Sequence, residues 1–490
     1  MQNLQTKLYI GGELTDGLAG RTIDVINPAD GTVLATVSEA GAEDIDRAVA
    51  AAGRAFPRWA ATPAADRGRL LLRLADAIED HAAELARLES LDTGHPIRDT
   101  TVLDVPRTAA AFRYFGGIAD KHQGAVIPVE QGFLNYVVPE PIGVAGSIVP
   151  WNFPLMFSSW KLGPALAAGN TTVLKASELT PMTSLRLAEL IAEAGFPPGV
   201  VNIVPGYGHV AGARLAEHPD VGKVSFTGST ETGRRIVTAS AGNLKRLQLE
   251  LGGKGANIVF PDADIPAAVR GSAFAIFHNQ GQACIAGSRL LLHEAIAAEF
   301  LDGFIATARR IRIGHPLEKS TQLGPLTSAM HRDRVTGYLK SAADGGATVL
   351  AGGAAPDAPD LADGYYLQPT VVRAEPDSQI CQDEVFGPVV TVSTFSTDEQ
   401  AIAIANGTQY GLGGGLWTAD LSRAHRVAAA MRSGMIWVNC YKRVNPGSPF
   451  GGTGSSGYGR EMGFAAMAEY TTQKSVWINV DATLPDWYAP

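Results

Sequence analysis

The chain has 490 residues, 46% hydrophobic and 18% charged, enough to bury several cores without help from disulfides or metals. Its formal net charge of −9, from 40 basic and 49 acidic residues, argues against a general affinity for nucleic acid or anionic membrane. Three scattered cysteines, Cys284, Cys381 and Cys440, are too few for a disulfide framework or a zinc cluster and read as reduced thiols.

From the start, Met1 to Gly12 holds no apolar run of signal-peptide length and none of the Arg- and Ser-rich character of a transit peptide. No stretch of about 18 apolar residues predicts a membrane span, so a cytoplasmic location is expected. From Asp66 to Leu91, apolar residues recur at helical spacing, and Gly94 offers a stop. Ala125–Pro139 alternates apolar and polar residues, as a strand does. From Ile142 onward, short apolar runs (143–149, 171–174, 201–204, 223–226) alternate with helical stretches (181–194, 210–217, 230–239). This βαβα texture predicts a parallel sheet covered by helices. A second region begins near Gly252 with a strand at 256–260, continues through helices at 265–277 and 295–309, and runs to about Gly452. Residues 351–363, rich in Ala, Gly, Pro and Asp, read as a surface loop. A last alternating segment, Tyr470–Val480, has the pattern of a strand that pairs with a neighbouring subunit's sheet edge.

Candidate chemistry clusters at the ends of these elements. Asn152, in Pro150-Trp151-Asn152-Phe153-Pro154, follows a strand, and its amide N–H₂ suits an oxyanion. Lys175 and Glu178 follow the next strand and are placed to hold a ribose; an acid there repels a 2′-phosphate, which favours NAD over NADP. The run Phe226-Thr227-Gly228-Ser229-Thr230-Glu231-Thr232-Gly233 links a strand to a helix start, where backbone amides attract phosphate. It is neither G-x-G-x-x-G nor a Walker A loop, and by pattern alone an ordinary Gly-rich turn explains it equally well. Glu250 closes a strand before Gly252-Gly253 and suits a general base. Cys284 lies in Gly281-Gln282-Ala283-Cys284, where a helix runs into a tight turn that would expose its thiol at the helix end. A thiolate adds readily to a carbonyl, and the thioester left after hydride loss is open to water. None of the Cys or His spacings suggests a metal.

These segments, with 384–389 and 449–452, follow one another in the order of the aldehyde dehydrogenase superfamily, which the chain resembles over nearly its whole length. The resemblance implies the hydrolytic, NAD(P)-dependent, non-acylating type. It implies an α/β subunit of three parts: a Rossmann-like parallel-sheet cofactor domain (1–121 and 142–251), an α/β catalytic domain (252–452), and a small β oligomerisation domain (122–141 and 465–482). A homodimer or homotetramer follows. Cys284 matches the family nucleophile, Glu250 the general base and Asn152 the oxyanion donor. Lys161 and Glu461 match a proton relay. Ile148, Trp151, Lys175, Glu178, Gly208, Gly212, Phe226, Gly228, Ser229, Gly233, Leu251, Glu384 and Phe386 match cofactor contacts. Two departures bear on the cofactor's pose: Thr232, where many relatives carry a bulkier apolar residue, and His331, where many carry Gln.

The expected reaction is oxidation of a small-molecule aldehyde to a carboxylate with NAD, without nucleic acid or membrane. Glu250 counts against a CoA-acylating variant, which has little use for a hydrolytic base. By resemblance, Phe153, Phe157, Trp160, Ile285, Val444 and Phe450 line the substrate pocket. The adjacent cations Lys442 and Arg443 suggest that one of them meets the carboxylate of a semialdehyde; the aromatic lining suits an aromatic or apolar aldehyde equally well.

Overall fold

The computed structural model describes residues 4–489. Five parallel strands lie side by side in the spatial order Val201–Pro205, Thr171–Ala176, Val144–Ile148, Val221–Thr227, Arg246–Glu250. The first three are buried along their whole length, as strands covered on both faces must be. Leu8–Ile10 and Glu13–Thr15 extend one edge antiparallel, and Gly457–Tyr458 returns from the far end of the chain to extend the other. The chain order reverses between Val144–Ile148 and Val221–Thr227. Carboxyl ends at such a reversal open a crevice, and it is here that the Pro150–Pro154 and Gly228–Gly233 segments emerge.

A second sheet runs Thr348–Ala351, Thr370–Arg373, Val389–Phe395, Arg289–His293, Ala256–Val259, Gly413–Trp417, Met435–Val438, all parallel except the first edge strand. Residues of both sheets and the helix Pro154–Ala167 share one apolar core, which fixes the crevice of the first sheet against the second. A separate three-stranded antiparallel sheet pairs Thr471–Asn479 with Phe133–Pro141 over nine residues, with Ala125–Ile127 on the far side. Among the described residues no helix is long and apolar enough to cross a membrane.

Most elements stand where periodicity places them; the helices Thr230–Ala239 and Ile265–Phe277 keep the expected bounds. The helical stretch 66–91 is instead two helices, Ala64–Asp80 and Ala82–Thr93, which break at His81. The break falls between Ile78 and Leu85, where no buried apolar residue holds the chain straight. Gly94 does end the second helix in the left-handed conformation, with φ +81°. Residues 351–363 are a loop apart from the short turn Pro359–Leu361.

Candidate active site

Cys284 does not sit at a helix end. After the helix Ile265–Phe277 the chain turns through three left-handed residues, Asn279 (φ +53°), Gln280 (φ +54°) and Gly281 (φ +72°), and the thiol follows in the loop before Arg289–His293. The turn is held from outside: Asn279 Nδ2 donates to the Asn152 carbonyl at 3.0 Å, and Gln280 Nε2 to the Gly94 carbonyl at 2.7 Å. Gly281 passes so close to the opposing segment that a Cβ would lie 1.9 Å from the Gly387 carbonyl oxygen. Asn152 Nδ2 donates to the Gln282 carbonyl at 2.9 Å, and its second N–H remains for a ligand beside the half-buried Cys284.

Glu250 ends its strand fully buried, with neither carboxylate oxygen hydrogen-bonded. Burial, then repulsion from Glu461, raises its pKa well above the ordinary carboxylate range, against the opposing pull of Lys161. Lys161 and Glu461 form a fully buried ion pair, with Ser225 Oγ accepting from the ammonium at 3.0 Å. Burial, reinforced by Glu384, Glu250 and Glu461, likewise pushes the Cys284 thiol up. The glycines after Glu250 are required by close packing. A Cβ on Gly253 would lie 2.1 Å from the Cys284 carbonyl oxygen, and one on Gly252 would lie 2.6 Å from Glu384 Oε2.

A cavity of about 500 Å³ opens from Cys284 along the crevice. Trp151, Asn152, Gly228, Ser229, Leu251, Glu384 and Phe386 line it. Ser229 caps the helix Thr230–Ala239, and Thr232 joins that cap, which accounts for its small polar side chain. Phe226 lies under the loop, where a Cβ on Gly228 would be 2.4 Å from its ring; one on Gly233 would be 2.6 Å from Leu251. Glu384 accepts from the Gly253 N–H at 2.8 Å, and burial raises its carboxyl to about 7. Phe386 is left-handed (φ +62°), and the His331 ring bonds its carbonyl at 2.7 Å. Burial pulls His331 down to about 4, so the ring is neutral and donates there, as the amide of a Gln would. Lys175 and Glu178 pair at 3.2 Å outside this lining, beside Gly212; Ile148 and Gly208 also lie outside it.

On the other side of Cys284 a constricted hollow of about 30 Å³ is lined by Phe153, Phe157, Trp160, Ile285, Lys442, Val444 and Phe450, the residues the sequence suggests. Arg443 is exposed and takes no part. Arg107, Met156 and His278 also line the hollow and are invisible to motif reading. The fold further brings His95, Asp99 and His278 together, with potential ligand atoms within 4.8 Å of one another.

A doubly wound sheet whose crevice leads to a thiol-bearing pocket is the plan of a nucleotide-dependent oxidoreductase. The chain matches the aldehyde dehydrogenase family over residues 15–476 and belongs to that family, whose members oxidise aldehydes with NAD(P). It is 47% identical to the mitochondrial aldehyde dehydrogenase of Sus scrofa, covering 97% of this chain and 91% of that one. Identity to betaine aldehyde dehydrogenase of Bacillus subtilis is 43%, over 98% of this chain and 99% of that one. The crystal structure of PnpE from Pseudomonas sp. WBC-3 superposes with a TM-score of 0.98 at 65% identity, over 99% of this chain and 100% of that one. PnpE has also been solved in complex with nicotinamide adenine dinucleotide.

Proposed function

We propose that this chain oxidises an aldehyde to its carboxylate with NAD, through a thioester on Cys284 that water cleaves with Glu250 as general base. The observation that carries the reading is the convergence of Cys284, Asn152 and the Gly228–Glu231 helix start on one cavity, with the unpartnered carboxylate of Glu250 one strand end away. The cavity fits a dinucleotide: a capped helix start, an acid at Glu384, and the ring of Phe386 on the wall. Trp151, Phe226, Gly228, Ser229, Gly233, Leu251, Glu384 and Phe386 would hold it, with Ile148, Lys175, Glu178, Gly208 and Gly212 at the far end. Bound there, the nicotinamide supplies the hydride acceptor.

The rest is the work of the protein's own groups. Cys284 releases its proton to solvent water and adds as the thiolate to the aldehyde carbon, forming the thiohemiacetal oxyanion. Asn152 donates its free N–H to the oxyanion. Once the carbon has been oxidised to the thioester level, Glu250 takes a proton from water. The resulting hydroxide attacks the thioester carbonyl, the C–S bond breaks, and the carboxylate leaves with Cys284 restored. Lys161 and Glu461 lie in Glu250's field and suit onward transfer of that proton. The substrate hollow suits a semialdehyde or an aromatic or apolar aldehyde. The three-stranded sheet supports a homodimer or homotetramer, and the three free cysteines fit a cytoplasmic enzyme.

Replacement Cys284→Ser tests the reading. Aldehyde-dependent NADH formation is expected to fall by about 10³-fold or more, because a serine hydroxyl, far less acidic than a thiol, is a poor nucleophile. Native turnover in that variant would end the thioester mechanism.

A further inference from the structure

The substrate hollow contains a charge imbalance that the reaction itself does not require. Arg107 reaches it from the helix Val105–Ile118, and Lys442 from the loop after the strand Met435–Val438. The two cations thus arrive from separate elements at the hollow that holds Cys284. Among the described residues neither has a carboxylate within 4.0 Å. Lys442 is only 3% exposed; its ammonium makes one long hydrogen bond, 3.4 Å to the His278 carbonyl, and stands 5.9 Å from the Phe274 ring. The Lys442 backbone is also left-handed, with φ +54°.

The nearby acids face His95 and Arg98, and Asp104 attracts Arg107 only from beyond 4.0 Å. Asp104 bonds His95 Nδ1 at 2.6 Å, and Asp99 lies 3.5 Å from Arg98 and 3.8 Å from His95. A dehydrated ammonium without a counterion is unfavourable, and burial accordingly pulls Lys442 down to about 7, with Arg107 adding to that shift and Cys284 opposing it. Burial first, then Lys442, His95 and Arg107, keeps His278 neutral. Two cations that face the hollow without a carboxylate within 4.0 Å attract an anion there.

We propose that the substrate is an aldehyde carrying a carboxylate remote from its carbonyl, and that Arg107 and Lys442 hold this carboxylate while Cys284 meets the aldehyde carbon. This rests on the reading of Cys284 as the acylated thiol. Arg107 offers a planar fork and Lys442 a point charge, a pairing suited to a carboxylate. Phe153, Phe157, Trp160 and Phe450 line the hollow between the two ends; at about 30 Å³ it is smaller than a five-carbon chain, so these rings move apart when the substrate enters. A purely apolar aldehyde would leave the buried Lys442 without a counterion.

The test compares glutarate semialdehyde with pentanal, of equal carbon count, in steady-state assays with NAD. The wild type is expected to favour the acid by about tenfold or more in kcat/KM, the range of charge-assisted hydrogen bonds. Lys442→Met and Arg107→Met should each lower the acid-to-neutral ratio by about tenfold, with KM for the acid rising more than kcat falls. Lys442→Arg should recover part of the ratio. Glutarate should raise the Tm of the wild type and not that of either Met variant. Turnover of pentanal with no preference for the acid, or equal losses on both aldehydes, overturns the carboxylate site and leaves the thiol chemistry standing. Native NADH formation from the acid in Cys284→Ser, with glutarate still raising the Tm, overturns the thiol chemistry and leaves the carboxylate site standing.

Discussion

Glu250 holds two buried oxygens that no group among the described residues satisfies, an arrangement that is unfavourable unless something else uses them, as the proposed hydrolytic water would. Glu250→Gln keeps the shape and removes the basicity. Its expected signature is a burst of about one NADH per subunit, from acylation of Cys284, followed by a steady rate lower by about 10²–10⁴-fold. Stopped-flow absorbance measures both phases; a slow reaction without a burst would place Glu250 before thioester formation instead. At this scale much could be read from the sequence. Asn152 and Glu250 each sit in a local run of Gly, Pro and strand residues that marks an element end, and Cys284 follows a glycine that marks a turn. Arg107 could not be read in this way. It is one arginine on an ordinary helix, and only the fold carries it to a loop more than three hundred residues downstream.

Elements with strong periodicity were equally legible, because a buried strand or an amphipathic helix writes its pattern locally. The turn before Cys284 was not. Asn279-Gln280-Gly281 reads as a simple stop to a helix, yet it is a left-handed run held by contacts to Asn152, Gly94 and Gly387, all distant in sequence. Gly281 is needed twice over, for its positive φ and for its 1.9 Å clearance. Gly281→Ala is therefore expected to destabilise the protein by more than about 1 kcal/mol and to lower activity together with stability. Differential scanning fluorimetry beside NADH assays measures both. An unchanged Tm would mean that the Gly281–Gly387 approach relaxes freely.

At the scale of the molecule, the two alternating segments seen in the sequence pair first with each other, Phe133–Pro141 with Thr471–Asn479, a register that no local pattern encodes. Their sheet leaves Val126, Trp477 and Ile478 exposed beside unpaired strand edges, an apolar surface of the kind that marks an interface. Light scattering is expected to show a dimer or tetramer, and the pair of changes Val126→Lys and Trp477→Lys to shift it toward monomer. A wild type that is monomeric at micromolar concentration would refute this. One further consequence comes from how the reacting segments are tied. Asn152 to Gln282, Gly281 against Gly387, and Glu384 to Gly253 lock Cys284, Asn152 and Glu384 into one frame. Arg107, Val444 and Phe450 belong to stretches outside those ties. Directed evolution of this scaffold can therefore be confined to a handful of codons at 107 and 442–444, re-tailoring which compounds enter while the frame around Cys284 is inherited intact.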